Sequence, residues 1–324
     1  MPLLRRIGPQ LGAAWDAAWF GPIERLPLAL FRIGFGLLWI DIIVSSYPNW
    51  SRFYGRDGIV PFAWLGEEYF ARPSLLSISS SDLWTTAFFW FALAAAVAFT
   101  IGFKTRIATI LLYAAVISMI NRTPTITHGE DLVSRPLLFF ACFAPLGDRL
   151  SIDAWLRARS GARTPAAGAV WPQRLMQISL LFVYVFSVPA KPSDDTAWLD
   201  GTALYYVMAS ANWGRFPELA RLFYSGPLSA ILTASTLAIE GTFPILVWRR
   251  RTRPYALAAL GGLQLGIAIL VNNVFNFNLI MLIGFILFVP DPALERVSEW
   301  LQQVRLRARG AIRARTMSPS PRSG

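Results

Sequence analysis

Apolar residues in this chain gather into eight runs separated by polar connections rich in Gly, Pro and Arg. The runs are Leu26 to Ser45, Leu83 to Gly102, Arg106 to Ile120, Leu132 to Gly147, Leu175 to Pro189, Pro227 to Trp248, Tyr255 to Val271 and Asn276 to Val289. A helix needs about 20 mostly apolar residues to cross the hydrocarbon core. The first, second and sixth runs reach that length, and the others need flanking turns. The pattern predicts an all-α fold, a polytopic transmembrane helical bundle of about eight spans. In the long connection from Pro189 to Tyr224, DGTALYYVMA reads as a half-helix dipping back toward the membrane, which requires burial in protein or a cavity.

The charges orient this bundle. With eight spans, 21 Lys and Arg residues fall on the side of the termini and seven on the other, while Arg32 and Arg135 lie within runs. The positive-inside rule then puts both termini in the cytoplasm, and the reading is a multi-pass protein of a bacterial inner membrane. Three parts follow: residues 1–25, an N-terminal interfacial segment with Trp15, Trp19 and Phe20; residues 26–290, the transmembrane domain; and residues 291–324, a basic cytoplasmic tail. Glu295 to Thr316 reads as a helix on the anionic inner leaflet, and MSPSPRSG as disordered. No cleavable signal peptide is evident, because Asp16 and Pro22 interrupt the run after Arg5 and Arg6.

Composition agrees with a membrane protein: 324 residues, 55% hydrophobic and 15% charged, against roughly 25% charged in soluble domains. The net charge of +11 comes from Arg-rich loops and calls for membrane lipids, not nucleic acid, as partner. A single Cys, Cys142, and a single His, His128, exclude an intrachain disulfide and a usual zinc site, so no metal is expected. Neither a P-loop nor a dinucleotide fingerprint is present.

Candidate chemistry gathers at the outer side. Lys191 ends the fifth run between Ala190 and Pro192, and His128 precedes the fourth, so the topology sets both at one face and one depth. A partly buried lysine can lose its proton and act as a base, with a histidine as hydrogen-bond partner. The plainer alternative is a lysine snorkelling from a helix end and a histidine facing water. Charges inside spans are costly. Arg32, Asp41, Arg135 and Glu240 therefore each require a partner, an Arg135–Glu240 pair being one solution, and they serve either a polar headgroup or helix packing. The GTFP after Glu240 suits a local unwinding. Gln264 faces another helix or a cavity, and Asn272, Asn273, Asn276 and Asn278 suit a tight turn. Outer aromatic residues, among them Trp50, Trp64, Tyr69, Phe70, Trp198 and Tyr205, form an interfacial belt or the walls of a site for a flat quinone-like ring.

The stretches LALFRIGFGLLWI, FYGRDGIVP, HGEDLVSRPLLFF with PLGDRLSIDAW, AWLDGTALYYVM and the Glu240 helix stand in an order and spacing that resembles the HTTM domain family, the membrane part shared with vitamin K-dependent gamma-carboxylase. The resemblance covers roughly Arg25 to Pro290. It implies a lysine base at the outer end of a membrane helix, matched by Lys191, and an assisting histidine, matched by His128. It also implies a reduced vitamin K or menaquinol whose oxidation to the epoxide drives proton removal from glutamate and capture of carbon dioxide. Glu240, Trp198, Tyr205, Arg32 and Gln264 are then the cofactor-binding candidates. Many members carry a histidine near the place of Gln264. The carboxylase also has a large lumenal domain with no counterpart in this sequence, so a secreted peptide or protein substrate would be met by short outer loops or a separate substrate-binding subunit. The alternatives are a non-enzymatic membrane protein assisting maturation or export of a secreted peptide or binding a lipid, and a transporter, for which no inverted repeat is visible.

Overall fold

The structure, a computed structural model, describes residues 2–66, 72–163, 165–166, 168–224, 227–297 and 299. Tyr69, Phe70 and most of the basic tail lie outside them. The α-helices are α1 (Pro2–Trp19), α2 (Arg25–Ser46), α3 (Trp50–Tyr54), α4 (Asp82–Ile101), α5 (Thr105–Arg122), α6 (Gly129–Ala141), α7 (Ile152–Arg159), α8 (Trp171–Asp194), α9 (Ala197–Asp200), α10 (Ala203–Ala209), α11 (Pro227–Leu246), α12 (Arg253–Leu270) and α13 (Phe275–Phe285). No strand forms among the described residues, only two isolated bridges.

Every predicted run has a helix, but not every helix is long and apolar enough by itself to cross a membrane. Five helical segments are long and apolar enough to cross a membrane: Arg25–Tyr54, Asp82–Ile101, Trp171–Asp194, Pro227–Leu246 and Arg253–Leu270. A sixth is reached if Phe275–Phe288 and Asp291–Val297, bent by 109°, act together. Helix α5 falls short because Arg106 and Arg122 stand near its two ends, and α6 because it has 13 residues with Arg135 and Pro136 inside. The chain is a multi-pass helical membrane protein.

Consecutive long helices pack on one another from α2 through α4, α5, α6, α8, α11, α12 and α13, and α13 returns to α2, α6 and α8. In lipid the contrast between apolar protein and solvent vanishes, so close van der Waals packing must hold the bundle. Gly36 shows how: a Cβ there would lie 2.2 Å from Thr100 Oγ1 and 3.0 Å from Phe99. The bare backbone lets α2 and α4 approach. Phe31, Phe35 and Trp39 continue the same face of α2 into a buried aromatic row.

Both ends of the bundle are tied by polar groups. At one end Arg32, fully buried, donates from Nη1 to the Leu146 carbonyl at 2.8 Å and from Nη2 to the Leu150 carbonyl. Asp153 accepts from the backbone N–H groups of Lys104 at 2.9 Å and Thr105 at 2.7 Å, and from Thr105 Oγ1 at 2.6 Å. It thereby caps α5 from the first turn of α7. Burial pushes the Asp153 carboxyl up, but the hydrogen bonds from Thr105 and Lys104 outweigh it and hold it below the ordinary carboxylate range. Gly102, at φ +70°, makes the turn beneath; a Cβ would meet Ser151 at 2.4 Å and Arg32 Nη1 at 2.5 Å. At the other end Arg122, fully buried, donates to the carbonyls of Val60 and Gly55, both at 2.7 Å.

Candidate functional site

Helix α8 does not stop at Pro189. It runs through Pro189 and Pro192 to Asp194. Each proline removes one backbone donor, and Ser193 Oγ donates back to the Pro189 carbonyl at 3.0 Å. Lys191 therefore sits on a continuing helix, seven residues after Tyr184 and so on the same face. Helix α11 likewise stays helical through GTFP, so Glu240 is not on an unwound turn. Pro244, four residues later, leaves the Glu240 carbonyl without its usual helical donor.

These two helices bring Lys191 and Glu240 together. Lys191 Nζ donates to Glu240 Oε2 in a direct ion pair. The Glu240 side chain is 7% exposed and that of Lys191 21%. The partner of Glu240 is thus Lys191, and Arg135, proposed for it from the sequence, is not; Arg135 Nε is buried without a partner. The Lys191 ammonium also stands 5.1 Å from the centroid of the Trp198 ring, a cation–π geometry. Two buried groups continue inward along α8 and α12: Gln264 Nε2 donates to Tyr184 Oη at 2.8 Å, and Gln264 Oε1 is buried without a partner. Phe243 of α11 packs on Tyr184, centroids 5.7 Å apart.

Trp198 is also a wall of a cavity of about 260 Å³, together with Leu204, Val207, Trp213, Thr233 and Ile267. The segment carrying it is fixed on α11: Ser229 Oγ donates to the Gly201 carbonyl at 2.8 Å, and Gly201, at φ +81°, would place a Cβ 2.8 Å from the Ala230 backbone. DGTALYYVMA contains the seven-residue α10, which packs against α11.

His128 lies elsewhere. It precedes α6, where its backbone N–H donates to Asp131 Oδ2 at 2.9 Å. It lines a different cavity, of about 290 Å³, with Trp39, Tyr54, Met119, Glu130 and Asp131. Burial pushes the Glu130 and Asp131 carboxyls up. Tyr205 packs in a cluster with Tyr206 and Tyr224, centroids 5.3 and 5.4 Å away. Arg32 is taken up by the Leu146 and Leu150 carbonyls. Of the expected site residues, then, Lys191, Glu240 and Trp198 meet directly, Gln264 joins one buried step away, and His128, Tyr205 and Arg32 stand apart. Asn272 and Asn273 serve the turn, with Asn272 Nδ2 donating to the Gly214 carbonyl at 3.3 Å and Asn273 Nδ2 to that of Asn212 at 3.1 Å.

Sequence reading missed Tyr184 and the burial of Arg122. The seven-residue spacing of Tyr184 and Lys191 was the available signal for the first. No group of three metal-ligating side chains occurs among the described residues.

The sequence profile of the HTTM domain matches residues 20–292. No curated protein and no solved structure matches the chain. The match spans nearly the whole sequence and takes in every helix that builds the site, so the chain belongs to the HTTM domain family, the membrane domain of vitamin K-dependent carboxylase-like proteins.

Proposed function

We propose that the protein is a quinol-dependent membrane enzyme of the vitamin K-dependent gamma-carboxylase kind, with Lys191 as its base and Glu240 as the group that exchanges protons with it. The observation that carries this reading is the Lys191–Glu240 pair itself, set against Trp198 at the edge of an apolar cavity. A purely structural bundle needs no titratable pair there. An intramembrane ion pair costs more than packed apolar side chains of similar size.

Passing the proton from Lys191 Nζ to Glu240 Oε2 leaves a neutral amine and a neutral acid. Nζ then holds a lone pair for an acidic hydroxyl. Trp198 orients the amine through its ring face, and Leu204, Val207 and Ile267 keep water out of the neighbouring cavity. That cavity, at about 260 Å³, is at the lower edge of the roughly 300–1,000 Å³ usual for small-molecule sites. Its indole and aliphatic walls fit a flat quinol ring of the vitamin K or menaquinol type. When bound, such a quinol supplies the electrons for oxygen and a base strong enough to take a carbon-bound proton. Tyr184, about two helical turns further along the same face of α8, accepts from Gln264, the free Gln264 Oε1 being an acceptor for one further donor. His128 enters at the other outer cavity, since its expected place beside Lys191 is filled by Glu240.

The same reading places eight crossings and both termini on the cytoplasmic side of a bacterial inner membrane, with α1 and the basic tail at the inner interface. The short α6 and α13 and the charged ends of α5 then cross with help from their flanking turns. The acceptor is a secreted peptide or protein, recognised by the outer loops or a separate subunit. Epoxide formation from reduced vitamin K or menaquinol, followed by mass spectrometry with oxygen and bicarbonate, tests the proposal. Epoxide made by the wild type and lost in Lys191→Ala supports it. A folded Lys191→Ala protein with full turnover ends it, whereas no epoxide from either folded protein favours the maturation-partner reading, which requires no chemistry on quinols.

A further inference from the structure

We infer that the end of the bundle opposite Lys191 carries a site for a phosphate-bearing anion between α1, α8 and α12, built around Arg174 and Arg253. Both side chains line one cavity of about 110 Å³, closed by Ala17 near the end of α1 and Gly21 beyond it, by Gln173 and Gln177, and by the Leu287–Pro290 turn. That volume holds several waters or one tetrahedral oxyanion.

The two guanidiniums are held from behind and left free in front. Arg174 donates from Nε to the Ala18 carbonyl at 3.3 Å and from Nη1 to Gln177 Oε1 at 3.0 Å, and its guanidinium stands 5.3 Å from the Trp248 ring centroid. Arg253 donates from Nε to the Val247 carbonyl at 2.9 Å and from Nη2 to the Trp248 carbonyl at 3.4 Å. Among the described residues, Nη2 of Arg174 and Nη1 of Arg253 have no protein acceptor, and neither residue forms an ion pair. Two like charges in one small cavity repel, and an anion between them removes that cost. The arginines sit in the first turns of α8 and α12, whose dipoles add further positive potential. Gln173 and Gln177 do not compete for the anion, since their amides are engaged with the Leu287 carbonyl at 2.8 and 2.6 Å. Glu24 is the one carboxylate lining the cavity, and its Oε2 accepts from the Asp291 N–H at 3.1 Å.

The ligand chemistry is a phosphate with at least two free oxygens, either a phospholipid headgroup or soluble phosphate. The exposed Trp15 and Phe20 of the neighbouring α1 region set the cavity beside an apolar surface, where a lipid headgroup would be presented. This site is independent of the quinol reading.

The test uses the full-length purified protein in nanodiscs of phosphatidylcholine containing phosphatidylglycerol, with lipid retention after detergent extraction read by native mass spectrometry. Inorganic phosphate is titrated separately against thermal unfolding. The expected result is retention of phosphatidylglycerol over phosphatidylcholine by at least fivefold, lost in Arg174→Gln/Arg253→Gln and kept in the control Arg249→Gln/Arg250→Gln. Glu24→Gln, which removes the opposing charge and keeps an acceptor for Asp291, is expected to raise retention, an outcome that misfolding cannot produce. Stabilisation by phosphate without lipid selectivity, again lost in Arg174→Gln/Arg253→Gln, assigns the site to soluble phosphate. Equal loss in both double variants, or neither lipid preference nor phosphate stabilisation in the wild type, overturns the inference.

Discussion

Removing Lys191 while leaving Glu240 tests the physical core of the site. In Lys191→Met the aliphatic stem is kept and the charge is lost. Glu240, whose side chain is 7% exposed, then faces the bundle with no cation within ion-pair distance among the described residues. Breaking a buried pair from one side costs about 3–5 kcal/mol. The Lys191 end is 21% exposed, so some water reaches the stranded carboxylate, and about 3 kcal/mol is the better figure. At roughly 2 °C per kcal/mol for chains above 150 residues, that is about 6 °C in Tm. The double variant Lys191→Met/Glu240→Leu removes both charges and is expected to recover most of the loss, because neither partner is left alone. Thermal unfolding of the four proteins in one detergent closes the double-mutant cycle, whose coupling is expected to be about 2 kcal/mol or more. A coupling near zero, with Lys191→Met as stable as wild type, would mean that the pair is not formed in the folded protein, and the proton-exchange argument would go with it.

Other expectations follow from the ties at the two ends of the bundle. Arg32→Leu strips the Leu146 and Leu150 carbonyls of their buried donor and should lower stability by about 3 kcal/mol, with Arg32→Lys recovering part, read by lifetime in detergent. Asp153 has a folded pKa below its unfolded value. Its contribution is therefore complete above the ordinary carboxylate pKa of about 3.9 and is lost as the pH falls through the lower folded value. Asp153→Asn should flatten the acid limb of a stability-versus-pH curve, and an unchanged limb would contradict the cap. Gly36→Ala should destabilise by about 1–3 kcal/mol through overpacking against Thr100, measured by thermal unfolding, whereas Gly262→Ala, with open space around it, should cost little.

Much of this architecture was legible because hydrophobic runs and charge placement are local signals. Each run became a helix. What the sequence hid were partners. Arg32 reads as a mid-span charge in FRIGFG, yet its acceptors are carbonyls at Leu146 and Leu150, which no side-chain pattern marks. Glu240 was matched with Arg135 on charge alone, whereas the packing of α8 on α11 gives it Lys191. Pro189 read as a stop because proline removes a helical bond. The helix continues, with Ser193 bonded to the Pro189 carbonyl, and that continuation is what aims Lys191 at Glu240. His128 and Lys191 share a face by topology, but sharing a face does not set lateral distance, and the structure sets His128 in the wall of one cavity and Trp198, the neighbour of Lys191, in the wall of another.

The most direct test of the central claim is single-turnover epoxidation of reduced vitamin K by the purified protein, wild type beside Lys191→Ala and Glu240→Gln. The account predicts epoxide from the wild type, none from Lys191→Ala, and slowed formation with an altered pH profile from Glu240→Gln, since Lys191 then lacks the carboxylate that takes its proton. Epoxide formed equally by all three folded proteins would contradict it.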